Sequence, residues 1–234
     1  MTPTSVRQNL QRIQERIAGA AARAGRKAAE ITLIAVSKTH PASAIREAYE
    51  AGIRHFGENR VQEWEGKRAE TDGLAATWHL IGHLQSNKAA RAARLFHSID
   101  SIDDFAIAQR LDRAKAEAGI TGKLRVLIEV RVAPEATKSG AEINELLGLA
   151  EKTAGLPQLE LAGLMCIPPF LEQAEQVRLY FRRLRELRED VVKKLGMALP
   201  VLSMGMSHDF EVAIEEGATE VRVGTAIFGT REPK

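Results

Sequence analysis

Thr32-Leu33-Ile34-Ala35-Val36-Ser37-Lys38-Thr39-His40 opens as an apolar, partly β-branched run and stops at a lysine. The run reads as a buried strand, since a short continuous apolar segment suits a sheet covered on both faces. A lysine at the end of such a strand admits two readings. Its ammonium can snorkel past the strand end into water. Alternatively it stays near the interior, where desolvation lowers a lysine's pKa and frees the neutral amine for a Schiff base with an aldehyde or ketone. The stretch alone leaves both open.

Outward from it the same unit recurs. On the N-terminal side, Val6, Leu10, Ile13 and Ile17 mark one face of an amphipathic helix reaching about Ala24, capped by Thr4 or Ser5 and closed by Gly25. On the C-terminal side, Pro41 and Ser43 open a helix through Ile45, Ala48 and Tyr49 that Gly52 ends. Further strands are predicted at residues 53–56, 77–81, 96–99, 124–132, 159–167, 199–204 and 220–223, each followed by a helix or helical fragment. No linker or composition shift divides them. The fold class is therefore α/β, a single-domain (β/α)8 TIM-like barrel over residues 1–234 with an extra N-terminal helix. A doubly wound open sheet is the alternative, because alternation alone does not say whether the sheet closes.

The 234 residues, 44% apolar and 27% charged, supply one ordinary globular core. Lys+Arg of 33 against Asp+Glu of 31, well interspersed, give no electrostatic case for nucleic acid or membrane as a partner. The single cysteine, Cys166, excludes an internal disulfide framework and fits a reducing cytosol. Met1-Thr2-Pro3-Thr4-Ser5 lacks a secretory pattern, and no apolar run approaches a membrane span. A soluble cytoplasmic protein is expected.

In such barrels chemistry collects where strands end and βα loops begin. That rule selects Lys38, Glu58-Asn59-Arg60, Gly82-His83, Asp100, Glu135 with Lys138, Cys166, residues 203–207 and residues 222–225. The last two groups are the sharpest. Met204-Gly205-Met206-Ser207-His208-Asp209 and Val223-Gly224-Thr225-Ala226 each turn from a strand directly into a helix, offering free N–H groups, a hydroxyl and a glycine that lets an anion approach. Either loop alone reads equally as a tight turn with a capped helix. Both together, beside a lysine able to form an imine, point to a phosphorylated aldehyde. His79 reads as a core hydrogen-bonding histidine, and His83 as a strand-end residue able to approach a cofactor. No histidine and carboxylate set has metal-ligand spacing. Arg178, Arg182, Arg183, Arg185 and Arg188 interleave with Glu175, Glu186, Glu189 and Asp190, which reads as a solvated helix face. Cys166 reads as a small buried hydrophobe.

The words Ile34-Ala35-Val36-Ser37-Lys38-Thr39, Phe56-Gly57-Glu58-Asn59-Arg60-Val61-Gln62-Glu63 and Trp78-His79-Leu80-Ile81-Gly82-His83-Leu84-Gln85-Ser86-Asn87-Lys88 resemble the pyridoxal-phosphate homeostasis proteins, the YggS/PROSC family. So do His97-Ser98-Ile99-Asp100-Ser101, Gly163-Leu164-Met165, Leu202-Ser203-Met204-Gly205-Met206-Ser207-His208-Asp209-Phe210 and Val221-Arg222-Val223-Gly224-Thr225-Ala226-Ile227-Phe228-Gly229. The resemblance spans essentially the whole chain. It implies a barrel like the N-terminal domain of alanine racemase, with pyridoxal 5′-phosphate (PLP) held as a Schiff base on Lys38. It further implies that Ser207, Gly224 and Thr225 hold the phosphate with Ser203 nearby, that Arg222 faces the pyridine nitrogen, and that Asn59 lies beside the ring. An arginine there cannot hand its proton to the ring, so the ring is a poor electron sink. The chain departs from the family pattern at Arg131, where a small polar residue is expected, which leaves the contacts of the fifth strand open.

Three functions follow from these readings: a PLP carrier in vitamin B6 homeostasis, storing or delivering PLP to PLP-dependent apo-enzymes; a PLP-dependent amino-acid racemase; and a class I aldolase. A two-base racemase needs an acid/base group on each face of its substrate. Alanine racemase-like enzymes take one, a tyrosine, from a second domain. This sequence ends soon after its eighth strand, and Tyr49 and Tyr180 fall inside predicted helices. The carrier is the expected function, acting as a monomer.

Overall fold

Strand β1 (Thr32–Val36) pairs in parallel with β2 (His55–Glu58) on one edge and with β8 (Glu220–Val223) on the other. That second pairing, with Ala35 opposite Val223, is what closes the sheet in this computed structural model, which describes residues 5–133 and 139–229. Between them run β3 (Thr77–Leu80), β4 (Ser98–Ile102), β5 (Leu124–Glu129), β6 (Leu159–Met165) and β7 (Val201–Ser203), each hydrogen-bonded to its sequence neighbours in one closed barrel. Closure disposes of the open sheet, and it makes the loops after the first and last strands neighbours.

Helices α2 (Ala42–Glu50), α3 (Val61–Arg68), α4 (Ala89–Leu95), α5 (Phe105–Glu117), α6 (Leu146–Ala154), α7 (Arg178–Leu195), α8 (Phe210–Glu215) and the short α9 (Thr225–Phe228) follow the eight strands in turn. The extra N-terminal helix, α1 (Val6–Arg23), starts at a capping box between Ser5 and Gln8. Its other expected cap, Thr4, lies outside the described residues. It lies across α8 and α9: Asn9 Nδ2 donates to the Ile227 carbonyl at 2.9 Å, while Arg16 and Arg23 pair with Glu211 and Glu215, each at 2.7 Å.

Alternate strand residues divide two interiors. Ala35, Phe56, Leu80, Ile99, Val126, Leu202 and Val221 pack outward against Ile45, Leu111, Phe181 and Ile214 of the helices. Burial of each large apolar side chain contributes on the order of 1.5–3 kcal/mol. Ile34, Leu127 and Met165, also buried, stand outside that layer. The N-terminal end of the barrel is polar. Arg125 on β5 bonds Glu220 on β8 at 2.6 Å, and since these strands are not neighbours the contact spans the barrel interior. Buried His79 bonds buried Asp100 at 3.0 Å and His55 at 3.1 Å.

Three sequence expectations change here. β2 and β4 start two residues later than the apolar runs do, which places Asp100 within β4, buried, instead of in the loop after it. The arginine row of α7 is not merely a solvated face, because Arg178, Arg182 and Arg185 converge on buried Glu216 at 3.1, 2.9 and 3.2 Å. Arg131, the departure in the fifth loop, pairs with Glu142, and its backbone amide donates to Ala141 at 3.0 Å. Glu135 and Lys138 lie outside the described residues.

Candidate functional site

The loops after β7 and β8 interlock at the C-terminal mouth. Ser207 Oγ accepts from the backbone amides of Gly224 at 3.3 Å and Ala226 at 3.4 Å, so two N–H groups at the start of α9 converge on one hydroxyl. The β7 turn requires Gly205: its φ is 92°, and a Cβ there would lie 2.6 Å from the Ala213 Cβ. The turn is braced by Asp209, whose carboxylate accepts the Met206 amide at 2.6 Å. Burial pushes the Asp209 carboxyl above its ordinary range, although that hydrogen bond pulls the other way.

Lys38 lies two residues past the end of β1, half-buried. Its loop is tied to the last residue of α9, the helix that follows β8, since His40 stacks on Phe228 with ring centroids 4.7 Å apart. Closure thus brings the lysine's loop beside the amide cradle. Arg222 is buried with its guanidinium fixed twice, to Ser203 Oγ and to the Cys166 carbonyl, each at 2.8 Å. The Ser203 hydroxyl therefore serves Arg222 and not the Ser207 cradle. Asn59 follows β2, half-buried, and borders an open groove of about 860 Å³ shared with Arg60, His83 and Lys88. His83 itself pairs with Asp103 at 3.1 Å. Thr225, exposed, is the first residue of α9. Burial raises the Cys166 thiol to about 12, which leaves it an inert core residue.

Sequence reasoning missed the Ala226 amide, and it missed Lys67 and Glu63 of α3, which bond around the Lys38 backbone. The i,i+4 spacing of Glu63 and Lys67 was visible as a helix pair; their partners on β1 and β2 were not. Among the described residues His79, Asp100 and Glu220 also bring ligand-type atoms within 4.8 Å of one another. Arg125 already bonds Glu220 there, so the group reads as a paired charge cluster.

A closed eight-stranded parallel barrel, with a lysine after its first strand and two amides converging on Ser207 after its last, places the chain in the (β/α)8 class. The family model described as alanine racemase, N-terminal domain, matches residues 5–232. The chain is 47% identical to the pyridoxal phosphate homeostasis protein of Aquifex aeolicus, covering 96% of this chain and 98% of that one. Against the protein of the same name from Pseudomonas aeruginosa identity is 48%, with 98% and 97% covered. The chain belongs to the family of pyridoxal phosphate homeostasis proteins, within the alanine racemase N-terminal fold. Among solved structures, PipY of Synechococcus elongatus with PLP bound superposes with a TM-score of 0.81 at 42% identity, covering 91% of this chain and all of that one. The alanine racemase of Corynebacterium glutamicum shares the fold alone, at 19% identity and a TM-score of 0.67 over 95% of this chain and 61% of the enzyme.

Proposed function

We propose that this protein binds PLP at the mouth of its barrel and acts in vitamin B6 homeostasis, storing or delivering the cofactor without turning over an amino acid. The convergence of the Gly224 and Ala226 amides on Ser207, beside the loop of Lys38, carries this reading. The site fits the cofactor in three respects. The cradle offers oriented N–H donors where an anion sits. Gly224 has no side chain to screen its own amide. Lys38 supplies an amine on the adjacent strand end.

In this reading Lys38 would hold the cofactor through its aldehyde carbon, the carbonyl oxygen leaving as water. Ser207, Gly224, Thr225 and the Ala226 amide would hold its phosphate, and Asn59 would lie near its ring. PLP, when bound, supplies an aldehyde that captures amines and a ring that withdraws electrons. Arg222, its guanidinium held by Ser203 and the Cys166 carbonyl, would be the residue toward the ring nitrogen. A guanidinium keeps its proton at accessible pH, so this residue orients the ring without strengthening it as an electron sink. That favours holding over turnover. The racemase alternative lacks support from the tyrosines, since Tyr49 and Tyr180 sit in α2 and α7. We further propose that PLP-dependent apo-enzymes receive the cofactor and that the carrier is a cytoplasmic monomer. The one cysteine is buried and unpaired, as suits a reducing compartment.

The test is to add PLP to the purified protein and to Lys38→Ala. The wild type is expected to gain a visible absorption band that the variant lacks. A wild type that stays colourless overturns the proposal. Incubation of the loaded protein with L- and D-amino acids separates carrier from racemase, because stereochemical turnover well above that of free PLP would favour the enzyme.

A further inference from the structure

The backbone on both sides of Lys38 is held by one ammonium and one carboxylate of α3. Lys67 Nζ donates to the Ser37 carbonyl at 3.0 Å, to Glu58 Oε1 at 3.1 Å and to Glu63 Oε1 at 2.8 Å. Glu63 also accepts the backbone amide of Thr39. Ser37 Oγ completes the set by donating to Glu58 at 2.7 Å. The residue before Lys38 and the residue after it are thus anchored to the same pair of side chains.

An ordinary i,i+4 helix pair is exposed and contributes little. This one differs in its surroundings. The Lys67 side chain is 13% exposed and that of Glu58 is fully buried, so the charges are largely removed from water and are worth forming only when fully partnered. Burial raises the Glu58 carboxyl, and Lys67 opposes that shift. Thr39 adds an independent sign. Its φ is 65°, the one non-glycine residue in the left-handed region among those described. A β-branched residue persists there only where its surroundings over-determine it. The Glu63 contact to the Thr39 amide, with the His40 amide donating to Ser37 at 3.1 Å, supplies that determination.

We propose that Lys67 and Glu63 are positioning residues for Lys38, clamping the Ser37 carbonyl and the Thr39 amide so that the lysine is presented to the barrel mouth in one place and orientation. Its consequence for PLP rests on the function proposed above; the clamp itself does not.

The test has one arm without the cofactor and one with it. In the unloaded protein, hydrogen exchange of the Thr39 amide is expected to be slow and to become about tenfold faster in Glu63→Ala, as loss of a charge-assisted bond requires. In the loaded protein, Glu63→Ala and Lys67→Met are expected to release PLP about tenfold faster and to lose visible circular dichroism per bound cofactor, which reports orientation and not mere folding. Lys67→Arg, whose fork can span both carboxylates, is expected to restore both signals. An exposed Thr39 amide in the wild type, or release and dichroism within about twofold of wild type in Glu63→Ala, would overturn the clamp. Should Lys67→Met not fold, Glu63→Ala decides alone. A wild type that never takes up PLP sinks the function proposed above and leaves the exchange measurement to judge the clamp.

Discussion

Gly224 and Val36 meet backbone to backbone across the β1–β8 seam: a Cβ built on Gly224 would lie 3.3 Å from both the Cβ and the carbonyl oxygen of Val36. That contact is tighter than side chains ordinarily tolerate, and neither neighbouring atom is the free end of a flexible chain. Gly224 therefore belongs both to the seam that closes the barrel and to the pair of amides that converge on Ser207.

Gly224→Ala should push the β8 loop away from β1 and misplace the two amides. We expect about 1–2 kcal/mol of destabilisation from overpacking. Binding of PLP, and of inorganic phosphate as a simpler probe, should weaken by about tenfold, or ~1.4 kcal/mol. Titration followed by visible absorbance and by calorimetry checks this. Unchanged affinity for both ligands would place the phosphate elsewhere.

His55, half-buried at the N-terminal end of β2, should give stability a pH dependence. Burial, reinforced by His79 and Arg125, pulls His55 down to about 4. Between the ordinary histidine range and about pH 4 the unfolded chain takes up a proton at His55 that the folded chain refuses, so this contribution is lost as pH falls. The raised carboxyls of Glu58, Glu129 and Glu220 act with the opposite sign, which makes the comparison with a variant the clean measurement. His55→Gln should gain stability relative to wild type on going from pH 7 to pH 5 in urea unfolding. A difference independent of pH would show that His55 titrates normally.

Glu216 should behave as an anchor. Its side chain is 5% exposed and gathers Arg178, Arg182 and Arg185, tying α7 to the turn between α8 and β8. Glu216→Ala is expected to cost about 2 kcal/mol by leaving guanidiniums without their shared acceptor. Arg183→Ala, whose nearest carboxylate is 3.8 Å away at an exposed site, should cost less than about 0.5 kcal/mol in the same urea experiment. Equal costs would mean that the arginine row is a solvated face after all.

The barrel was legible in the sequence because the apolar runs and their glycine and proline punctuation are local signals. β8 falls where it was placed, and α7 ends at Gly196 in the left-handed conformation with φ of 64°. The positions of Lys38, Ser207 and Gly224 just past strand ends were legible because the strands before them are short apolar or alternating runs. Asp100 was misplaced because β4 runs on past Ile99 through polar Asp100 and Ser101 to Ile102, and hydropathy cannot see a polar residue that a barrel interior satisfies. The arginines of α7 were misread because their acidic partner, Glu216, lies about thirty residues downstream on another element.

By itself the sequence determined the strand/helix repeat, the lysine at the first strand end and two glycine-bearing turns, since each is written in residues a few positions apart. Only the tertiary structure decided that the sheet closes, that Ser207 meets the Gly224 and Ala226 amides, and that Lys67 and Glu63 hold the backbone around Lys38. Those contacts join residues far apart in the chain. They exist because closing the barrel makes β1 and β8 neighbours, and because burial makes a polar group's partner obligatory without naming which residue it will be.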